Sequence, residues 1–333
     1  MLIPGGMKRN TNLLCGKYQV IVLTFIVIAL TGSALAQQPR RTTELAPTGK
    51  GWGIAQSGPQ IYTPAGPSVT SNGITFHGGA IMSGNVNVYF IWYGNWANGK
   101  HKSDSQITTA LIDELYGKTG GVAGSGLAQI MATYHDSKGH VASSNMYMSK
   151  STSDNYSRGK SLNDAAVQAV VSSAITTGKL PKDSNGIYFV LSSSDVDETS
   201  GLCKNYCGWH NHASILKSDI KFAFVGNPDR CPLTCEVQAD TPNGDSGADG
   251  MATVMVHETF ETIADPDLNG WYDAKGQEIG DKCAWKWGPV KGMFGYGAYN
   301  QTFRNRNWLI QMIWEDANGG GCAQSKGGKF YNQ

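Results

Sequence analysis

Two hydrophobic periods alternate along this chain of 333 residues. The mostly apolar run Val86 to Tyr93 (VNVYFIWY) reads as a buried strand. Helical spacing follows over Ser105 to Tyr116, where Ile107, Leu111, Ile112 and Leu115 fall on one face, and a second helix is predicted from Leu127 to Tyr134. From Leu162 to Thr177, residues Ala166, Val167, Val170, Val171 and Ala174 form an apolar stripe between a Ser161-x-x-Asp164 box and a stop at Gly178. Ile187 to Leu191 and Lys221 to Gly226 are strand-like, and Met251 to Ala264 is the next strong helix. The C-terminal third is rich in Gly and Trp and reads as short strands and loops. Strands separated by helices predict one α/β domain with a mixed sheet, flanking helices and a disulfide-stapled loop region.

The N-terminus departs from both periods. Lys8, Arg9 and Lys17 precede the apolar run Val20 to Leu30 and the small-x-small site Ser33-Ala34-Leu35-Ala36, which is the layout of a cleaved secretory signal over residues 1–36. The run falls short of the roughly 20 apolar residues that cross a bilayer, so no membrane association is expected after cleavage. Residues 37–75 are dominated by Gln, Pro, Thr, Ser and Gly and are expected to be a flexible leader, with the folded domain occupying 76–333.

Charge adds an exclusion. The chain has 27 basic and 26 acidic side chains, and loss of the signal leaves 24 against 26. Such a balance gives no electrostatic basis for binding nucleic acid. Cysteine usage agrees with export: Cys15 leaves with the signal and six remain, Cys203, Cys207, Cys231, Cys235, Cys283 and Cys322. The two C-x3-C loops make Cys203 with Cys207 and Cys231 with Cys235 the local pairing, leaving Cys283 with Cys322. The competing arrangement is a structural zinc held by the two C-x3-C pairs.

The sharpest chemical feature is His257-Glu258-x-x-Glu261 in the last predicted helix. His257 and Glu261 are four apart, so on a helix both project from one face, as two ligands of one metal must. This is the H-E-x-x-H arrangement of zinc hydrolases with Glu in place of the second His, which makes Glu258 the candidate general base and gives the domain its expected zincin-like character. A catalytic zinc needs a third protein ligand. Asp265 reaches the same ion only if Pro266 ends the helix and the chain folds back, whereas Glu278 or Asp281 could return to the helix after a turn. The other reading of the motif is an amphipathic helix that shows its carboxylates to water.

Two further clusters compete. His210 and His212 alternate, so on a strand they share a face, and His210 is a candidate acid or base. The stretch 240–249 has calcium-loop composition without EF-hand spacing and is expected to form turns and cap the helix. Asp265, Asp267, Asp273, Glu278 and Asp281 offer hard oxygen ligands, so Ca2+ is the alternative to Zn2+.

Several blocks in this order resemble the phosphate-induced protein 1, or EXORDIUM-like, family of secreted proteins: FHGGAIMSGNVNVYFIWYGNW (76–96), FVLSSSDVDETSGLC (189–203) with CGWH (207–210), FAFVGN (222–227) with CPLTC (231–235), NGDSGADGM (243–251), and WLIQMIW (308–314) before Cys322. The resemblance implies an extracellular or cell-wall-associated protein, periplasmic if an outer membrane retains it, and implies no particular chemistry.

Two functions are expected to compete. The first is a metal-dependent hydrolase, most simply a zinc metallopeptidase acting on a peptide or cell-wall polymer, with His257, Glu261 and an acid from Glu278 or Asp281 on the ion. The second is a non-catalytic binding protein, for example for cell-wall glycan, that uses aromatic faces such as those of Trp92, Trp96, Trp209, Trp271 and Trp308.

Overall fold

The computed structural model describes residues 47–50, 73–97, 103–294 and 296–331. The expected signal over 1–36 and most of the leader lie outside them. In chain order the main elements are β1 (Thr75–Phe76), β2 (Asn85–Tyr93), α1 (Gln106–Leu115), β3 (Asn145–Asp154), β4 (Ser161–Leu162), α2 (Asp164–Thr176), β5 (Gly186–Ser192), β6 (Asp197–Glu198), β7 (Gly208–Ile215), β8 (Ser218–Gly226), α3 (Pro232–Cys235), α4 (Ser246–Ala264) and β9 (Trp271–Tyr272). Three short antiparallel pairs follow, Lys291–Met293 with Tyr296–Tyr299, Gln301–Phe303 with Arg306–Trp308, and Ile313–Glu315 with Gly321–Ala323.

The central sheet has the order β3-β2-β5-β8-β7. Its first four strands are parallel and β7 runs antiparallel to β8, so the expected mixed α/β sheet is present. Strand alternation divides the apolar residues between two layers. Val86, Val88, Phe90 and Trp92 of β2 enter the core shared with α1 and α4, whereas Tyr89, Ile91 and Tyr93 enter the core shared with α2. Both faces are covered, which is why β2 and β5 read as continuous apolar runs.

Several local expectations change. α2 is capped by Asn163, whose side chain accepts from the Ala166 amide, and Ser161 belongs instead to β4. The segment expected as a helix at 127–134 is a 3-10 helix over Ala128–Thr133. α4 starts five residues before the apolar pattern, because Asp245 caps it by accepting from the Ala248 amide at 2.9 Å. β3 is an edge strand whose fully buried side chain is Met146, so it carries little hydrophobic signal.

The cysteine pairing is also corrected. Cys203 joins Cys231 and Cys207 joins Cys235, so each bond links the two C-x3-C loops instead of closing one of them. Cys231 and Cys235 lie one helical turn apart, and their sulfurs reach across to the other loop, with Cα separations of 5.8 and 5.6 Å. The same bonds exclude a zinc on these thiols. Cys283 pairs with Cys322 as expected.

Part of the leader is anchored. The Gly49 carbonyl accepts from the His210 amide on β7 at 2.9 Å, and Lys50 Nζ pairs with Asp164 at 2.6 Å while lying over the Tyr206 and Trp209 rings. Trp92, Trp96, Trp209, Trp271 and Trp308 are all buried. They build the core, so the expectation that they form a glycan-stacking surface is withdrawn.

Candidate metal centre

α4 is buried on every side from Gly247 to Ala264, and it carries His257, Glu258 and Glu261 into that interior. Charged groups in such a setting need partners, since desolvation costs several kcal/mol per ion. The partners come from β7 and from the turn 278–281.

His257 Nε2 lies 3.0 Å from Glu261 Oε2, the contact expected from their spacing on one helical face, and 3.5 Å from Asp281 Oδ1. Glu261 Oε1 accepts from the Gly280 and Asp281 amides at 3.0 and 2.9 Å, which fixes the turn against the helix. Asp281 Oδ2 accepts from the Glu278 amide at 3.1 Å and leaves Oδ1 directed at His257. His210 extends from β7 with Nε2 3.1 Å from Glu278 Oε1 and 3.8 Å from Glu261 Oε2. Ligand-type atoms of His257, Glu261 and Asp281 fall within 4.8 Å of one another, as do those of His210, Glu258 and Glu261. Glu261 belongs to both sets.

Of the two acids expected to complete the motif, Asp281 joins His257 and Glu261, and Glu278 turns toward His210. Asp265 has another task. It ends α4, and its Oδ1 accepts from the Asn269 and Gly270 amides at 2.6 Å, which folds the chain back after the helix. His212 parts from His210: it sits with Asp219 and Asp267 around the Lys221 ammonium, which already supplies the positive charge there. Asp273 accepts from the Lys275 and Gln277 amides and from Lys282. The five acids considered for calcium therefore do not converge on one point.

The motif reading missed Gln311. Its amide nitrogen lies 2.7 Å from His257 Nδ1 and 3.2 Å from the Gly280 carbonyl, and its own backbone amide donates to Thr253 Oγ1, one turn before His257. A lone amide inside the apolar run Trp308 to Trp314 was the available signal.

Electrostatics follow from four acids and two imidazoles in a buried setting. Burial pushes Glu258 and Glu278 well above the usual carboxylate range and raises Glu261 to about 7. Burial, then the neighbouring His257, pushes His210 down to about 3. Burial also disfavours charge on His257, but Glu261 and Asp281 outweigh it and raise that imidazole well above its ordinary value. Among the described residues, Glu258 Oε2 and His210 Nδ1 are buried without a hydrogen-bond partner. Lone pairs left over beside clustered carboxylates are the donor chemistry of a divalent cation, and the mixture of imidazole and carboxylate fits zinc.

Comparison with known proteins completes the picture. The phosphate-induced protein 1 conserved region matches residues 74–323, which spans the sheet, α4 and the turn carrying Asp281. The chain belongs to the phosphate-induced protein 1 family. Among its EXORDIUM-like relatives, Protein EXORDIUM-like 3 of Arabidopsis thaliana is 29% identical over 273 residues, covering 72% of this chain and 80% of the relative. Protein EXORDIUM-like 5 of the same plant is 30% identical over 279 residues, with 72% and 75% covered. Protein PHOSPHATE-INDUCED 1 of Nicotiana tabacum is 27% identical over 248 residues, with 68% and 74% covered. No solved structure matches the chain. The disulfides suit an oxidising compartment, and among the described residues no helix is long and apolar enough to cross a membrane.

Proposed function

We propose that this protein is a secreted, extracellular EXORDIUM-like protein that works by binding, and that its buried cluster is a closed metal centre fastening the turn 278–281 to α4 and β7. The observation that carries this reading is burial. His210, His257, Glu258 and Glu261 are at most 1% exposed, and Asp281 is 8% exposed. A hydrolytic zinc keeps one position open beside three protein ligands, whereas a structural zinc is closed by four. Here His257, Glu261 and Asp281 would hold the ion, and His210 and Glu258 stand beside them with donor atoms of their own. Once bound, the ion would neutralise the carboxylates; Gln311, with its side-chain amide turned so that Oε1 accepts from Nδ1–H, would orient His257, and Glu278 would orient His210.

A second reading rests on Glu258. Its Oε2 has no hydrogen-bond partner among the described residues, and the residue directly follows His257, as the general base does in H-E-x-x-H hydrolases. In a zinc-dependent hydrolase, most simply a peptidase, Glu258 would accept the proton of the attacking water.

Metal analysis by plasma mass spectrometry, on protein purified without added metal or chelator, tests both readings. The closed centre predicts about one zinc per chain, loss of it in His257→Ala, a lower melting temperature after chelation, and no turnover of peptide or glycan substrates. Turnover that disappears in Glu258→Gln while zinc stays bound would establish the hydrolase. Metal-free protein with an unchanged melting temperature in His257→Ala would remove both metal readings.

A further inference from the structure

A cavity of about 780 Å³ opens on a part of the molecule that the metal cluster does not use. Its lining comes from the segment after β5, including Ser194, Asp195, Asp197 and Lys204, and from Arg230 after β8. It thus lies outside the carboxyl ends of two parallel strands, the region where open α/β sheets bind ligands. Its volume is in the range of small-molecule sites.

We infer that this cleft binds an uncharged, hydroxyl-rich ligand of the size of a short oligosaccharide. The inference rests on the binding-protein reading above and moves the recognition surface away from the tryptophans, which are core.

Charge narrows the ligand class. The carboxylates already have their own partners: Asp195 takes Lys160 Nζ at 2.6 Å and Tyr156 Oη at 2.9 Å, and Asp197 takes Arg230 at 3.0 Å. A metal ion would compete with these cations, and an anion would meet the carboxylates. A neutral polyol meets neither obstacle. Asp195 is filled by Ser193, Tyr156 and Lys160 and forms a wall, whereas Asp197 keeps lone pairs for ligand hydroxyls beside Arg230, and Arg230 and Lys204 supply donors for ring and glycosidic oxygens.

The walls are also built in advance. The buried Asp104 accepts from the Ser194 amide at 2.7 Å and from Asn227 Nδ2 at 2.9 Å, holding the ends of both strand-following segments together. The Cys203–Cys231 disulfide joins the same segments and lines the cavity. Rigid walls lower the ordering cost of binding, which weakly held sugars need.

The test is isothermal titration of the disulfide-intact protein with neutral cello-, xylo- and manno-oligosaccharides, with oligogalacturonate and a mixed peptide pool as comparisons. We expect saturable binding of at least one neutral oligosaccharide. That affinity should fall about tenfold in Lys204→Ala, at the exposed rim, and in Arg230→Ala, with melting temperatures recorded to exclude misfolding. Binding restricted to oligogalacturonate or peptide, no heat at about 10 mM sugar, or affinity unchanged in both variants would overturn the proposal. Metal content and product analysis on the same samples keep the outcomes separate: a sugar bound and then cleaved contradicts the non-catalytic reading but not the cleft, and intact metal without sugar binding contradicts the cleft alone.

Discussion

Gly280 lies so close to His257 that a Cβ on it would stand 2.6 Å from Nδ1 and 2.9 Å from Glu261 Oε1. The same residue donates its amide to Glu261 and offers its carbonyl to Gln311. Gly280→Ala should therefore push the turn off α4, costing about 1–3 kcal/mol by overpacking. Thermal melting and zinc titration of the variant check it; a melting temperature and zinc affinity equal to the parent would show that the turn is free to yield.

How much of this was legible beforehand depends on the residue. The pair His257 and Glu261 was readable because helical periodicity fixes neighbours on one face without knowledge of the fold. Sequence distance left the third acid open, because whether Glu278 or Asp281 reaches the helix depends on amide hydrogen bonds within the turn. The same limit applies to Gln311 and to the cysteines, whose partners are set by the approach of two loops. The continuous apolar runs of β2 and β5 carried the sheet, but the polar edge strand β3 had no apolar pattern to read. The tryptophans show the reverse error, since an aromatic residue suits a sugar face and a core equally well.

Gln311 buttresses His257 without being a ligand candidate. Gln311→Ala should weaken zinc binding about 10- to 100-fold, the range for losing a partner that orients a ligating histidine. Competition with a chelator of known affinity measures the change, and unaltered affinity would mean that packing alone holds the imidazole.

Peptide mapping of the unreduced protein should recover Cys203 with Cys231 and Cys207 with Cys235. Each closes a loop with a sequence separation of 28 residues. Removing one by paired Cys→Ser replacement should cost about 2–4 kcal/mol in denaturant unfolding. Recovery of bonds within each C-x3-C loop would refute the pairing.

Asp113 on α1 supplies a pH dependence away from the cluster. Burial raises its carboxyl from 3.8 to about 6, and Oδ1 has no hydrogen-bond partner among the described residues. The folded state thus holds the proton more tightly than the unfolded chain, so this residue's contribution is most favourable below pH 3.8 and is lost as pH rises through about 6. Asp113→Asn should raise stability at pH 7 by about 1 kcal/mol, discounted for solvent screening, with the gain vanishing in acid. Melts of both proteins across that range decide it; a gain independent of pH would assign the effect to packing.

The contact between Gly49 and His210 predicts a role for the anchored leader. In a chain beginning at residue 73, the His210 amide loses its acceptor and should exchange with solvent faster than in the longer chain. Hydrogen exchange read at that amide distinguishes a structural strap from a passive tail, for which the rates would agree.

The disulfides stand close to the cluster along the chain: Cys207 comes three residues before His210, and Cys283 two residues after Asp281. One bond tethers the start of β7, and the other tethers the turn bearing the third acid to the C-terminal hairpin. With both bonds reduced, the start of β7 and the turn 278–281 would be held against α4 by hydrogen bonds and packing alone. On the proposed metal reading, closure of these two bonds would precede loading of the ion, so that an exported chain would take it up only after leaving a reducing compartment.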